Sequence, residues 1–225
     1  SRVQRWKNPE GAFLHAMQSS MWGGFSFLIT GKKDSSTLLM EGGWQNNRPS
    51  AMHKQYRFVE HVFEELDTLN EWYFDKKQQK LFLKTAVNPN SALVETSQLE
   101  SLIRFSGDRG TVKNITISGL TLCHTLRTFM KNKEPLLRSD WTIYREGAIS
   151  LENTENIRIT HCTMRDLGGN ALVYSCYNKN DQLLSNHIFN VGGSAVVFVG
   201  NPEAVRSPSY QYSEFVPFEK LDTLK

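Results

Sequence analysis

Gly147-Ala148-Ile149-Ser150, Asn170-Ala171-Leu172-Val173 and Ser194-Ala195-Val196-Val197 line up on their alanines. Ala148 to Ala171 is a step of 23 residues, and Ala171 to Ala195 a step of 24. A second series runs Asn114-Ile115-Thr116-Ile117, Asn156-Ile157-Arg158-Ile159 and Gln182-Leu183-Leu184-Ser185, with steps of 42 and 26. The long step leaves room for an insert at 126–144. Short apolar runs rich in β-branched residues, closed by Asn and Gly turns, read as strands. Their recurrence at a period in the low-to-mid twenties reads as a stacked repeat. A leucine-rich repeat has a similar period, but its Leu pattern and its Asn or Cys position are absent. Helical periodicity between the runs is scarce. The expectation is an all-β fold: a right-handed parallel β-helix, a solenoid of three short strands and three turns per coil, with a small β-rich segment before it. No single coil buries its apolar side alone, so stacking builds the core.

The 42 and 26 offsets predict that Leu120, Cys162 and Ile188 stack inward. Alternation along a strand then turns Gly119, His161 and His187 outward as a column. Asp166 falls one repeat from His124. The pairs Gly168-Gly169 and Gly192-Gly193 recur at one corner, where a positive φ is easiest for Gly. Asn114 and Asn156 open equivalent strands and predict a buried ladder of stacked amides.

The chain has 225 residues, 39% of them hydrophobic, and a net charge of +3. Mean hydropathy is −0.44. The basic residues are scattered, so nothing electrostatic points to nucleic acid. No apolar run reaches the roughly 18 residues of a membrane span. Cys123, Cys162 and Cys176 are an odd number without metal-ligand spacing, and no disulfide framework, metal or cofactor is expected. The first residues lack an initiator Met and an apolar leader, and the last follow the final strand without a cap. The chain therefore reads as a piece of a longer one, whose remaining coils would be its partners.

Residues 1–100 read as a β-rich segment, 101–200 as coils and 201–225 as a loop-like tail. Phe25-Ser26-Phe27-Leu28-Ile29-Thr30 and Leu38-Leu39-Met40 predict strands around a turn at Gly31-Lys32-Lys33-Asp34. Glu71-Trp72-Tyr73-Phe74-Asp75 and Lys80-Leu81-Phe82-Leu83 predict a hairpin. Between them, Val59, Val62, Phe63 and Leu66 have helical spacing, although Val62 and Phe63 suit a strand as well.

These segments carry a resemblance. Glu64-Glu65-Leu66-Asp67, with the two hairpin strands, resembles a segment preceding the coils in bacterial right-handed parallel β-helix proteins. Among those is a glycoside hydrolase family with α-L-fucosidase and xylanase members. Met21-Trp22-Gly23-Gly24-Phe25, Glu41-Gly42-Gly43-Trp44-Gln45-Asn46-Asn47-Arg48 and Arg138-Ser139-Asp140-Trp141 resemble segments of the same group, so the resemblance covers nearly the whole chain. It implies a secreted or periplasmic protein acting on a polysaccharide or oligosaccharide. It also implies further coils, with the group's catalytic acids expected in the later ones.

Glycoside hydrolysis usually needs two carboxyl groups, and equivalent residues on stacked strands lie close enough to supply them. Asp166 and Glu146 are the candidates within the chain. His124 over Asp166 suits a charge-oriented base. The structural reading, a turn cap or solvated face for the two acids and a hydrogen bond at a coil corner for His124, is the stronger of the two for each. His161 above His187 suits a metal, but no third ligand is evident. Trp44, Asn46, Asn47, Arg48, Asp140 and Trp141 suit sugar binding by stacking and hydroxyl recognition, or ordinary loops. Trp22, Trp44 and Trp72 are also candidates for the core. A polysaccharide lyase is an alternative, but no Asp cluster of Ca²⁺ type is present. A non-catalytic glycan-binding or adhesin-like β-helix is the other.

Overall fold

The computed structural model describes residues 2–45, 50–131, 143–201 and 217–220. Among the described residues the protein is all-β apart from a one-turn helix, Arg2–Arg5, and short 3-10 turns. It divides into two compact units, Ser1–Glu95 and Thr96–Lys225. Among the described residues no helix is long and apolar enough to cross a membrane.

In the first unit, β1 (Phe13–Gln18), β2 (Gly24–Lys32), β3 (Leu38–Gly42) and β4 (Met52–Glu60) form an antiparallel sheet of order β3-β2-β1-β4. β1 alternates half-buried and buried positions, so Leu14 and Ala16 share the core face with Ile29, Trp6 and Val62. The β2–β3 reversal comes later than the Gly31 turn expected from sequence. β2 runs on through Lys32, and Asp34 makes the turn by accepting the backbone N–H groups of Ser36 and Thr37. The helical spacing at 59–66 does not make a helix. β4 continues to Glu60, His61 takes φ 64°, and one 3-10 turn follows at Phe63–Glu65. Of the four apolar residues only Val62 is buried, so the stripe lacks the apolar face a helix would need. β5 (Trp72–Asp75) and β6 (Lys80–Leu83) pair as a hairpin.

The second unit carries β7 (Ile103–Ser106), β8 (Val112–Lys113), β9 (Thr116–Ser118), β10 (Thr121–Cys123), β11 (Gly147–Glu155), β12 (Arg158–Thr160), β13 (Thr163–Leu167), β14 (Asn170–Lys179), β15 (Gln182–Leu184), β16 (His187–Val191) and β17 (Val196–Val199). They form three parallel sheets: β7-β11-β14-β17 with β8 beside β11, β9-β12-β15, and β10-β13-β16. The chain visits the three sheets in turn, and each strand pairs with its equivalent one repeat away. Leu151, Ile159, Met164 and Leu172 are fully buried between the sheets.

The alanine series keeps the expected register: Ile149 pairs with Leu172, and Leu172 with Val196. The step in the first sheet changes from 23 to 24 at a bulge between Glu152 and Thr154. The second series is corrected. Ile159 pairs with Leu183 and Met164 with Ile188, so the step there is 24 rather than 26. The inward column of the third sheet is therefore Leu122, Met164 and Ile188. Cys162 is buried, but its N–H meets the side chain of Asn186. His187 sits beside Thr163 and not beside His161, so the expected histidine column and its metal reading do not form.

Each corner turns on one residue in the left-handed region. Asn114, Asn156 and Asn180 have φ of 59°, 55° and 58°. Gly119, His161 and Ser185 follow at 72°, 52° and 54°, then His124, Asp166 and Asn190 at 60°, 52° and 51°. Asn, Asp and His enter this region more readily than most side chains. The amide ladder is real but exposed: Asn156 Nδ2 donates to Asn114 Oδ1 at 3.2 Å on the surface. The Gly pairs, by contrast, are not at positive φ. A Cβ on Gly168 would lie 2.4 Å from the Leu126 backbone, and one on Gly192 would lie 2.7 Å from the Gly168 carbonyl oxygen. Close approach of neighbouring repeats, rather than φ, demands glycine there.

Candidate functional site

Around the Gly corner the second unit opens a cavity of about 390 Å³. Phe129, Tyr144, Asn170, Ser194 and Phe198 are among its lining residues. A second cavity of about 530 Å³ also has Phe198 in its wall, with Tyr174, Cys176, Asn178, Asn180 and Asp181 among others. Phe198 is 74% exposed and stacks on Tyr174, with ring centroids 4.9 Å apart and planes 12° apart. Parallel pairing sets this stack, because Tyr174 and Phe198 are register partners in β14 and β17.

Asn170 bolts the first cavity together. Its Nδ2 donates to the Tyr144 carbonyl at 2.9 Å and the Glu146 carbonyl at 3.2 Å. Its Oδ1 accepts the Ser194 N–H at 2.9 Å. The Tyr144 hydroxyl donates to Glu100 Oε2 at 2.7 Å. Burial first, then the Glu100 hydrogen bond and the charges of Glu146 and Glu100, push the Tyr144 phenol well above its ordinary range. Lys131 pairs with Glu100. Hydrogen bonds from Lys131 and Tyr144 hold Glu100 below the usual carboxylate range. Glu146 pairs with Arg104 at 3.1 Å, and both side chains are open to solvent.

Asp166 is at the surface and pairs with Arg165 at 2.5 Å. It also accepts from Asn190 Nδ2 at 3.3 Å. These two hydrogen bonds, with Arg165 and His124 nearby, hold its carboxyl below the ordinary range. His124 meets Asp166 through the backbone, its N–H donating to the Asp166 carbonyl at 3.0 Å. The structure therefore keeps Asp166 ionised at a corner it shares with His124. Trp44 is half-buried in the first unit. Asn46, Asn47, Arg48, Asp140 and Trp141, with most of the insert and most of the tail, lie outside the described residues. Trp22 and Trp72 are exposed, at 68% and 55%, and Trp6 is the tryptophan of the core.

Sequence reasoning passed over Glu100, Tyr144, Asn170 and Phe198. Glu100 precedes the repeated stretch and Tyr144 ends the insert, so neither carries a periodic signal. Phe198 continues the core-facing column of Leu151 and Tyr174 at the last described strand, so its exposure carries no signal in the sequence.

The fold and cavity define an all-β protein whose second unit is a stack of parallel strands with an aromatic- and amide-lined cavity at one corner. No protein-family model, no curated protein and no solved structure matches the chain.

Proposed function

We propose that the second unit is a stretch of right-handed parallel β-helix, and that the protein is part of a secreted or periplasmic glycoside hydrolase acting on a polysaccharide or oligosaccharide. The three sheets visited in turn, at a repeat of 23 or 24 residues, support the β-helix. The hand follows from the strong preference of parallel crossover connections for the right-handed sense.

One observation carries the carbohydrate reading: the exposed Phe198 ring lines two cavities that also carry side-chain amides and hydroxyls. An aromatic face takes the C–H face of a sugar ring, and Asn and Ser groups take its hydroxyls. A lyase fits this cavity less well. It needs a base beside a uronate carboxylate, and Tyr144, raised by burial and two carboxylates, is a donor. The non-catalytic binding reading shares the same cavity.

The test is a panel of fucosylated and xylan-type glycans, assayed for binding by titration calorimetry and for reducing-end release. The proposal expects both signals, with binding weakened at least tenfold in Phe198→Ala. Binding without release favours the non-catalytic protein, and neither signal ends the carbohydrate reading.

A further inference from the structure

The two cavities differ in what they leave free for a ligand. At the Gly corner the fold has spent most of its donors. Both Asn170 Nδ2 hydrogens go to backbone carbonyls, and Oδ1 takes the Ser194 N–H. The Tyr144 hydroxyl gives its proton to Glu100. The Gly192 and Gly193 N–H groups donate to the Leu167 and Gly169 carbonyls, and the Thr128 N–H donates to the Gly168 carbonyl. Among the polar side chains of this wall, the hydroxyls of Thr128 and Ser194 remain. What the cavity offers instead is apolar surface. Phe129, Tyr144 and Phe198 bring three aromatic rings, and Ile143, Val196 and Val197 add aliphatic surface. Arg127 and Lys131 lie 5.9 Å from the centres of the Phe129 and Tyr144 rings, an attraction that helps hold those rings as walls.

The larger cavity is the reverse. Asn180 and Lys179 line it, both are exposed, and neither side chain makes a hydrogen bond among the described residues. An amide and an ammonium group are therefore free there for hydroxyl recognition. A sugar ring seated at the Gly corner would leave most of its hydroxyls desolvated and without partners. A flat aromatic group carries no such cost and gains ring-to-ring contact.

Resting on the carbohydrate reading, we infer that the Gly-corner cavity is a subsite for an aromatic group, and that the ligand is a glycoside with an aryl aglycone. The aryl ring sits among Phe129, Tyr144 and Phe198, and the sugar meets Asn180 and Lys179 in the larger cavity. Phe198 belongs to both walls, so a ligand seated on it has an end in each.

The experiment uses the whole 225-residue chain. It is titrated by calorimetry with matched para-nitrophenyl and methyl glycosides of xylobiose and of fucose, and with para-nitrophenol alone. The aryl glycoside of one of these sugars is expected to bind more tightly than its methyl counterpart, on the order of tenfold. Ser194→Phe places a ring in the cavity from an exposed position and keeps the backbone N–H that Asn170 accepts. It is expected to erase the difference between aryl and methyl glycosides, and Phe129→Leu to shrink it. Asn180→Ala is expected to weaken both glycosides alike. Equal affinity for aryl and methyl glycosides overturns the aryl subsite and leaves the carbohydrate reading standing. An aryl preference that survives both Ser194→Phe and Phe129→Leu does the same, because it places the aromatic group elsewhere. Para-nitrophenol binding as tightly as its glycosides overturns the carbohydrate reading and the aryl glycoside with it. Silence with every probe overturns both.

Discussion

His161 turns its corner at φ 52°, a region that costs an ordinary L-residue about 1–2 kcal/mol. A β-branched side chain fits it worst. His161→Val is expected to lower unfolding stability by about 1–2 kcal/mol, and His161→Gly by less, read from urea melts. Asp166 has the same kind of post, and its carboxylate serves Arg165 and Asn190 at the surface. Asp166→Asn keeps a residue that tolerates this conformation. It is expected to change stability by no more than about 0.5 kcal/mol and to leave glycan turnover intact. A large fall in turnover would return Asp166 to the catalytic candidates. The glycines make the opposite case, because they are required for room. Gly168→Ala and Gly192→Ala each drive a methyl into backbone of the preceding repeat. Each is expected to cost about 1–3 kcal/mol. Gly200→Ala, with nothing within 4 Å, serves as the silent control.

Between neighbouring strands, single polar side chains join one repeat to the next. Asp181 accepts the Ile157 N–H at 2.7 Å and the Thr154 hydroxyl at 2.6 Å. Asn186 accepts the Cys162 N–H at 2.9 Å and donates to the Ile159 carbonyl at 2.8 Å. These two clamps explain where sequence reading slipped. Asp181 stands where the previous repeat has Ile157, and Asn186 where it has Cys162. A hydrogen bond there replaces an apolar contact, so aligning apolar residue on apolar residue moved the register by two. The first sheet was legible because its positions stay apolar and its alanines recur. The acidic residue Glu146 was legible too, but Glu100, which meets Tyr144 only through the fold, was not.

Asn170→Ala removes the clamp at the cavity and is expected to cost about 1–3 kcal/mol, with glycan affinity falling alongside. In the first unit, Glu65 ties Arg2 at 2.5 Å and the buried Trp6 indole to the Phe63–Glu65 turn. The Arg2 hydrogen bond, then that from Trp6, lowers the Glu65 carboxyl. A lowered native pKa gives stability that is present above the unfolded value, about 4.3. That stability is lost as pH falls through the native one. Glu65→Gln is therefore expected to melt lower than the wild type at pH 7, and the gap is expected to close on acidification below about pH 4. A gap that stays constant with pH would remove the charge from this explanation.

At the level of the molecule, each unit has its own core, and between β6 and β7 the chain is exposed and largely irregular. Leu93 is 88% exposed and Leu99 57%. Limited chymotrypsin is expected to cut first between Val87 and Leu99, leaving two protected fragments. First cuts inside β1–β4 or β11–β16 would contradict the division. The cavity and the clamps depend on one property of the second unit, the parallel register of its strands. Cross-linking measures that register directly. In a background of Cys123→Ser and Cys176→Ser, Thr163→Cys/His187→Cys sets two outward thiols on register partners of β13 and β16. Adjacent parallel strands lie within disulfide reach. The account predicts that this pair oxidises fully and raises Tm, while His161→Cys/His187→Cys stays reduced under the same conditions. A bond in the second pair, or in neither, would contradict the register and the cavity built on it.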